Sequence, residues 1–208
     1  MRGLVTPLLR GLACVSVTAC ASLSPKADPS RFFILTSAPQ THHSSPGCSP
    51  TPSKLAVGVG PIQLPGYLDR QQLVSRISEN RLDVAENDRW AEPLGDNLGR
   101  ILAQNLSVLL GTDKVSLYPW PSDLRPTYQV EIDVLRFEPD SARSAELTAR
   151  WILRDVPTRA ILSVKESELT EPLKGPSTEE SVAALSELLG KFSCEIVEAL
   201  RAPLENGP

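Results

Sequence analysis

Two apolar stripes at helical spacing, each preceded by strand-like segments, constrain the fold of this chain most. The first begins after Pro93 and ends before Gly111, and the second begins after Ser177 and ends before Pro203. Apolar residues at intervals of three and four predict two amphipathic helices that each bury one face. Pro93 suits a helix start, and Ser177 with Glu180 matches a capping box. The stripes are Leu94, Leu98, Ile101, Leu102, Leu106, Leu109 and Leu110, and then Val182, Leu185, Leu189, Phe192, Ile196 and Leu200.

Three segments in the second half of the chain alternate apolar and polar residues, as strands with one buried face do. In the first of them, over 128–137, the apolar phase shifts at Leu135, which indicates a bulge near Val134. Short connections join the three segments, so we expect an antiparallel meander. In the later two segments, the predicted buried residues are Leu147, Ala149, Trp151 and Leu153, and then Ala160, Leu162 and Val164.

Further strands are predicted before the first helix. They cover 31–35 and 55–61, followed by a hairpin in which 72–78 and 82–86 flank a turn at 79–81. Counted from residue 55 onward, the order is three strands and a helix, twice over, which raises the hypothesis of duplicated strand-strand-strand-helix halves. The predicted fold class is α+β, an antiparallel β-sheet with two long amphipathic helices packed on it.

The first 30 residues have the layout of a bacterial lipoprotein leader. Arg2 and Arg10 precede a short apolar stretch at 11–19, and Val-Thr-Ala-Cys at 17–20 matches a lipobox. The apolar stretch is about half the roughly 20 residues that a membrane span needs. We therefore predict a signal peptide at 1–19, acylation of Cys20 and a flexible tether at 20–30. By resemblance to enterobacterial-type lipoproteins, the absence of Asp beside Cys20 indicates the periplasmic face of the outer membrane.

The remaining part of about 190 residues predicts a single domain with a substantial core. We assign that domain to 31–203, with a Ser/Pro-rich loop at 38–53 and a short tail at 204–208. His42 and His43 lie in the loop without further ligands at metal-binding spacing, so no metal site is predicted.

The cysteines that remain after lipidation are Cys48 and Cys194, since Cys14 leaves with the signal peptide. An even pair in an oxidising compartment indicates a disulfide. Cys194 lies about 160° from the centre of its helix's apolar stripe, so we expect it outside the core and within reach of the loop.

The composition excludes several functional classes. The net charge of −4 becomes about −6 when Arg2 and Arg10 are removed, and no basic stripe is present, so nucleic acid is not an expected partner. No serine lies in a Gly-x-Ser-x-Gly motif, and the glycines at 58 and 60 are not followed by the Lys-Ser/Thr of a phosphate-binding loop. Neither an enzymatic activity nor a cofactor is predicted.

Two segments resemble the PqiC-like family of ABC-type transport auxiliary lipoproteins. They are Leu-Pro-Gly-Tyr-Leu-Asp-Arg at 64–70 and Arg-Trp-Ala-Glu-Pro-Leu at 89–94, joined by the predicted hairpin, and the 31–35 strand fits as well. The resemblance covers the whole mature chain and is strongest over 31–110. It implies a non-enzymatic outer-membrane lipoprotein that docks a periplasm-spanning MCE protein, and through it an inner-membrane permease, in lipid transport that supports membrane integrity.

The resemblance and the residue types together suggest which side chains contact the partner. A Pro/Gly turn is expected to present its side chains, and arginine and tryptophan are enriched at interface anchors. The predicted partner-binding residues are Leu64, Pro65, Tyr67, Leu68, Asp69, Arg70, Arg89 and Trp90. The alternatives are a role of these residues in folding, a periplasmic lipid-binding carrier, and a lipoprotein that assists lipopolysaccharide or outer-membrane assembly. A homo-oligomer is also left open.

Overall fold

The computed structural model describes residues 28–37, 55–121 and 123–205. The predicted signal peptide, Cys20 and the predicted loop with Cys48, His42 and His43 lie outside the described residues. The elements are β1 (Arg31–Phe33), β2 (Val57–Gln63), β3 (Gln72–Ser78), β4 (Arg81–Trp90), α1 (Leu94–Leu110), β5 (Val115–Leu117), β6 (Tyr128–Pro139), β7 (Ser144–Asp155), β8 (Ile161–Pro172) and α2 (Thr178–Glu205).

The strands form two sheets rather than one. The smaller sheet has the order β1-β4-β3, and the larger has the order β5-β2-β6-β7-β8. The α+β prediction is confirmed, but three of the described strand pairings, β1 with β4 and β2 with both β5 and β6, are parallel. The predicted bulge is confirmed by a register shift between Val134 and Arg136. Four strands precede each helix, because β1 adds to the first half and β5, which is too short to show alternation, adds to the second.

The predicted helix ends depend on local chemistry and are largely confirmed. α1 follows Pro93 and ends at Gly111, whose left-handed φ of 56° lets its N–H reach the carbonyl of Val108. The capping box is present, since Ser177 and Glu180 exchange hydrogen bonds of 3.1 and 3.2 Å. The prediction that Pro203 stops α2 is wrong, because the helix continues to Glu205. A proline this close to a helix end removes only one late hydrogen bond.

Both helices pack on one face of the five-stranded sheet, α1 over β2 and β5 and α2 over β6, β7 and β8. All residues of the two predicted apolar stripes are buried, which confirms both stripes. Trp151 of β7 meets Phe192 of α2 edge to face, with ring centroids 6.0 Å apart. The three-stranded sheet lies at the end of this core, where β3 meets β6.

The predicted buried residues of β8 are wrong. Leu162 and Val164 are 40% and 67% exposed, and Ala160 is exposed as well. In the β7–β8 register Val164 pairs with Ile152, on the face away from the helices, whereas Ser167 pairs with the buried Ala149. Apart from Leu169, which pairs with Leu147 and packs against the core, the helix-facing positions of this edge strand are mostly polar, and apolar alternation predicted the wrong face.

Cys194 is half-buried on α2 and packs against the core, closer to it than expected. Its sulfur is disulfide-bonded, and the bonded partner lies outside the described residues. The pairing with Cys48 stays a prediction. Free-thiol labelling of the non-reduced protein should modify neither cysteine, and labelling of both would contradict the pairing.

Candidate docking surface

The segment at 64–70, called here the motif turn, is closed by its own backbone. The N–H groups of Leu68 and Asp69 both donate to the carbonyl of Pro65, at 2.9 and 3.3 Å. Its exit is fixed to the second motif segment, because the N–H of Trp90 donates to the carbonyl of Gln71 at 2.7 Å. The two motif segments predicted from sequence are thus adjacent in the fold.

The predicted partner-binding residues divide into outward and inward sets. Asp69 and Arg70 are exposed, and the half-buried members are Leu64, Pro65, Tyr67 and Arg89. Leu68 and Trp90 are only 3% and 7% exposed, so neither can present its side chain to a partner on this surface. The expectation that the turn presents Leu68 is wrong, because the side chain points into the seam between the two sheets and packs with the core.

Tyr67 holds the motif turn to both sheets. Its hydroxyl donates to Glu138 Oε2 on β6 at 2.9 Å and lies 3.2 Å from the carbonyl oxygen of Leu135. Arg76 on β3 places its guanidinium 5.9 Å from the Tyr67 ring centroid and 2.7 Å from Glu138 Oε1. Arg136 approaches the same oxygen at 3.3 Å. We call Tyr67, Arg76, Arg136 and Glu138 the Tyr67 cluster.

The electrostatics of the Tyr67 cluster favour a fixed structure. Glu138 is fully buried, and its carboxylate also accepts a 2.8 Å hydrogen bond from the N–H of Phe137. Both carboxylate oxygens therefore have hydrogen-bond partners. Burial and the neighbouring Glu138 charge raise the pKa of Tyr67 from 10.0 to about 12. The phenol therefore remains a hydrogen-bond donor across the physiological pH range.

A second polar cluster fixes the other side of the motif. Asp88 on β4 accepts a bidentate pair of 2.7 Å hydrogen bonds from Arg31 on β1 and a 2.6 Å bond from Thr178 at the start of α2. The guanidinium of Arg31 lowers the pKa of the Asp88 carboxyl despite partial burial. Arg89, the next residue, has a buried Nε without a hydrogen-bond partner in the described part of the chain.

An exposed apolar surface near β5 was not found by sequence reasoning. Tyr118 and Trp120 stack edge to face with centroids 5.4 Å apart and lie beside the glycines of β2. A Cβ at Gly58 would stand 2.6 Å from the Trp120 ring, and one at Gly60 would stand 3.1 Å from Tyr118. The alternating glycines of β2 thus allow aromatic residues to approach the strand. The glycines are visible in the sequence, but their role is apparent only once β2 is known to pair with β5.

Clusters of potential metal ligands are absent from the described residues. Among them, no group of three or more histidine, cysteine or carboxylate side chains could hold a metal ion. The buried Ser167 hydroxyl donates to Glu195 and accepts from Trp151 at 2.9 Å, an arrangement that ties β8 to α2. In the same ranges, no helix has the length and apolar composition needed to cross a membrane.

Two solved structures share this fold. An uncharacterized protein is 20% identical with a TM-score of 0.61, and the match covers 73% of this chain and 99% of that one. Protein XCC0632 from Xanthomonas campestris, a DUF330 protein, is 18% identical with a TM-score of 0.65, over 85% and 99% of the two chains. No curated protein sequence matches significantly.

The family assignment comes from the sequence itself. A family model described as the ABC-type transport auxiliary lipoprotein component matches residues 33–197, which includes both motif segments, every strand except the first two residues of β1, and most of α2. This chain belongs to the ABC-type transport auxiliary lipoprotein component family.

Proposed function

We infer that this chain is a non-enzymatic lipoprotein that docks a periplasm-spanning MCE protein at the outer membrane, as part of an intermembrane lipid transport system. The observation that carries this proposal is the family match, which describes an auxiliary component rather than a catalyst. A lipid-anchored domain aids such a system by raising the effective concentration of its partner at the membrane.

The exposed part of the motif turn is the proposed contact surface. Asp69 and Arg70 project from a turn that is held by backbone hydrogen bonds and by Tyr67. Because the turn is already ordered, binding through it would lose little conformational entropy. Arg70 suits this role, since arginine is enriched at interface anchors.

The test is co-purification from membranes with the full acylated chain. Arg70→Ala should reduce recovery of the MCE protein at least about tenfold if Arg70 is an anchor, since anchor truncations commonly cost 2 kcal/mol or more. Arg81→Ala is the matched control, because Arg81 is also exposed but lies at the start of β4, across the hairpin turn from the end of β3 that is remote from Arg70. Equal recovery of the MCE protein with the wild type, Arg70→Ala and Arg81→Ala would refute docking through the motif turn.

The outer-membrane address has its own test. We propose that Cys20 is the acylated first residue of the mature chain and that Ala21, beside it, permits transfer to the outer membrane. Density-gradient fractionation should find the chain with outer-membrane markers, and Ala21→Asp should shift it to the inner membrane. A mature N-terminus other than an acylated Cys20, found by mass spectrometry, would refute the anchor.

A further inference from the structure

A cavity of about 160 Å³ lies between the three-stranded sheet, the end of β6 and the first turns of α2. Its volume is close to that of an engineered apolar cavity of about 150 Å³ that binds benzene. It is therefore large enough for a short length of hydrocarbon chain and too small for a complete phospholipid.

The inward residues of the two motif segments build one wall of this cavity. Leu68 comes from the motif turn, and Trp90 and Leu94 come from the second motif segment. All three are buried and cannot take part in docking on the outer surface. Val74, Phe137 and Leu185 continue the apolar lining from β3, β6 and α2.

The polar groups of the lining define the kind of occupant. They include the Gln72 amide, the Thr178 and Ser181 hydroxyls and a single carboxylate, that of Asp88. No lysine or arginine lines the cavity, and Asp88 is already neutralised by Arg31. Because no cation lines the cavity, it does not suit an anionic group, and the part of a ligand that fits its apolar wall is an uncharged chain end.

We propose that this cavity binds the end of one aliphatic chain of a lipid whose headgroup stays outside the cavity. The chain end contacts Leu68, Trp90 and Leu94, and the rest of the chain with its headgroup lies outside the cavity. The site assigns a function to the buried half of the motif and does not rest on docking of a protein partner.

Trp90 provides a direct probe, because bromine atoms quench tryptophan fluorescence only at contact. The full chain, held in vesicles of unbrominated phosphatidylcholine, is titrated with lysophosphatidylcholine that carries a dibrominated chain. We expect saturable quenching that is lost in Trp90→Phe. Quenching that persists in Trp90→Phe would arise at Trp120 or Trp151 and would overturn the proposal.

Blocking variants test whether the cavity itself is the site. Ala85 lines the cavity, so Ala85→Leu should weaken the saturable quenching by about tenfold or more. Ala183→Leu is the matched control, because Ala183 is exposed on α2 and should leave quenching unchanged. If circular dichroism shows that Ala85→Leu unfolds, Ser181→Leu blocks the cavity from the α2 side. Unaltered quenching in a folded blocking variant would overturn the site.

The source of the chain is identified by a second arm. Vesicles of dibrominated diacyl phosphatidylcholine should quench Trp90 if membrane phospholipid inserts one chain. Quenching by the single-chain lipid alone would identify free monoacyl lipid as the source. Absence of quenching in both arms would overturn the proposal. If the Ala85→Leu variant still co-purifies with a protein partner, docking is a property separate from the cavity.

Discussion

The motif has an outer set of exposed residues and an inner set of buried residues, and the two sets lie next to each other in the sequence but have different contacts. Asp69 and Arg70 are exposed, whereas Leu68 and Trp90 are buried in the seam between the sheets. Tyr67 stands between these halves, with its ring half-buried and its hydroxyl bonded to a fully buried carboxylate. One motif thus serves both folding and surface presentation, and substitutions at its two halves should have separable effects.

The largest stability loss is expected from Trp90→Ala. Truncation of a buried tryptophan removes packing and enlarges the adjoining cavity, at a cost of about 3–5 kcal/mol. The thermal midpoint should fall by roughly 6–20 °C for a domain of this size. Trp120→Ala is the comparison, because Trp120 is half-buried at the surface and should cost less. Equal decreases in the thermal midpoint for Trp90→Ala and Trp120→Ala would contradict the distinction between buried and surface residues.

Glu138→Gln should have the next largest effect. The substitution keeps the shape but leaves the Arg76 guanidinium without its carboxylate, and breaking a buried ion pair costs about 3–5 kcal/mol. We expect the lower end of that range, because Arg76 keeps 18% exposure of its side chain. Urea unfolding gives the free energy directly. Adding Arg76→Met to Glu138→Gln should restore part of the lost free energy of unfolding. If the loss in the double variant equals the sum of the losses in the two single variants, the two residues are not coupled.

Tyr67→Phe should cost about 1 kcal/mol at neutral pH, since it removes one hydroxyl and its hydrogen bonding. The folded pKa of Tyr67 is raised from 10.0 to about 12, so the unfolded chain loses this proton first as the pH rises. The contribution of Tyr67 to stability is therefore complete below pH 10 and is lost between pH 10 and about pH 12.

The measurement is the difference in unfolding free energy between the wild type and Tyr67→Phe from pH 8 to pH 12, about the range in which phenols titrate. That difference should shrink as the pH rises, because the phenylalanine variant lacks the titrating group. A difference that stays constant would show that the hydroxyl is not desolvated as described.

The accuracy of sequence reasoning followed the range of the interactions involved. The helix stripes and the Ser177–Glu180 capping box depend on residues within a few positions, and both were predicted. The insertion of β2 between β5 and β6 and the outward face of Val164 depend on strand register, which periodicity alone does not specify.

The candidate site shows the same limit. Its two motif segments were identified correctly as neighbours of a hairpin, but the inward direction of Leu68 is set by a turn, where alternation does not apply. Glu138 was assigned no role from sequence, because its partners Tyr67 and Arg76 are 71 and 62 residues away. A fully buried carboxylate could not be recognised without those distant partners.

The smallest stability effect is expected where the docking effect should be largest. Asp69 and Arg70 are exposed, so a double Asp69→Ala, Arg70→Ala variant should unfold within about 0.5 kcal/mol of the wild type. The turn survives because backbone hydrogen bonds to Pro65 and the Tyr67 cluster hold it. Urea midpoints measured beside Trp90→Ala provide the comparison on one scale. A loss of more than about 1 kcal/mol in the free energy of unfolding would assign the outer half of the motif to folding as well. Any reduced recovery of a partner would then follow from instability of the domain rather than from a lost contact.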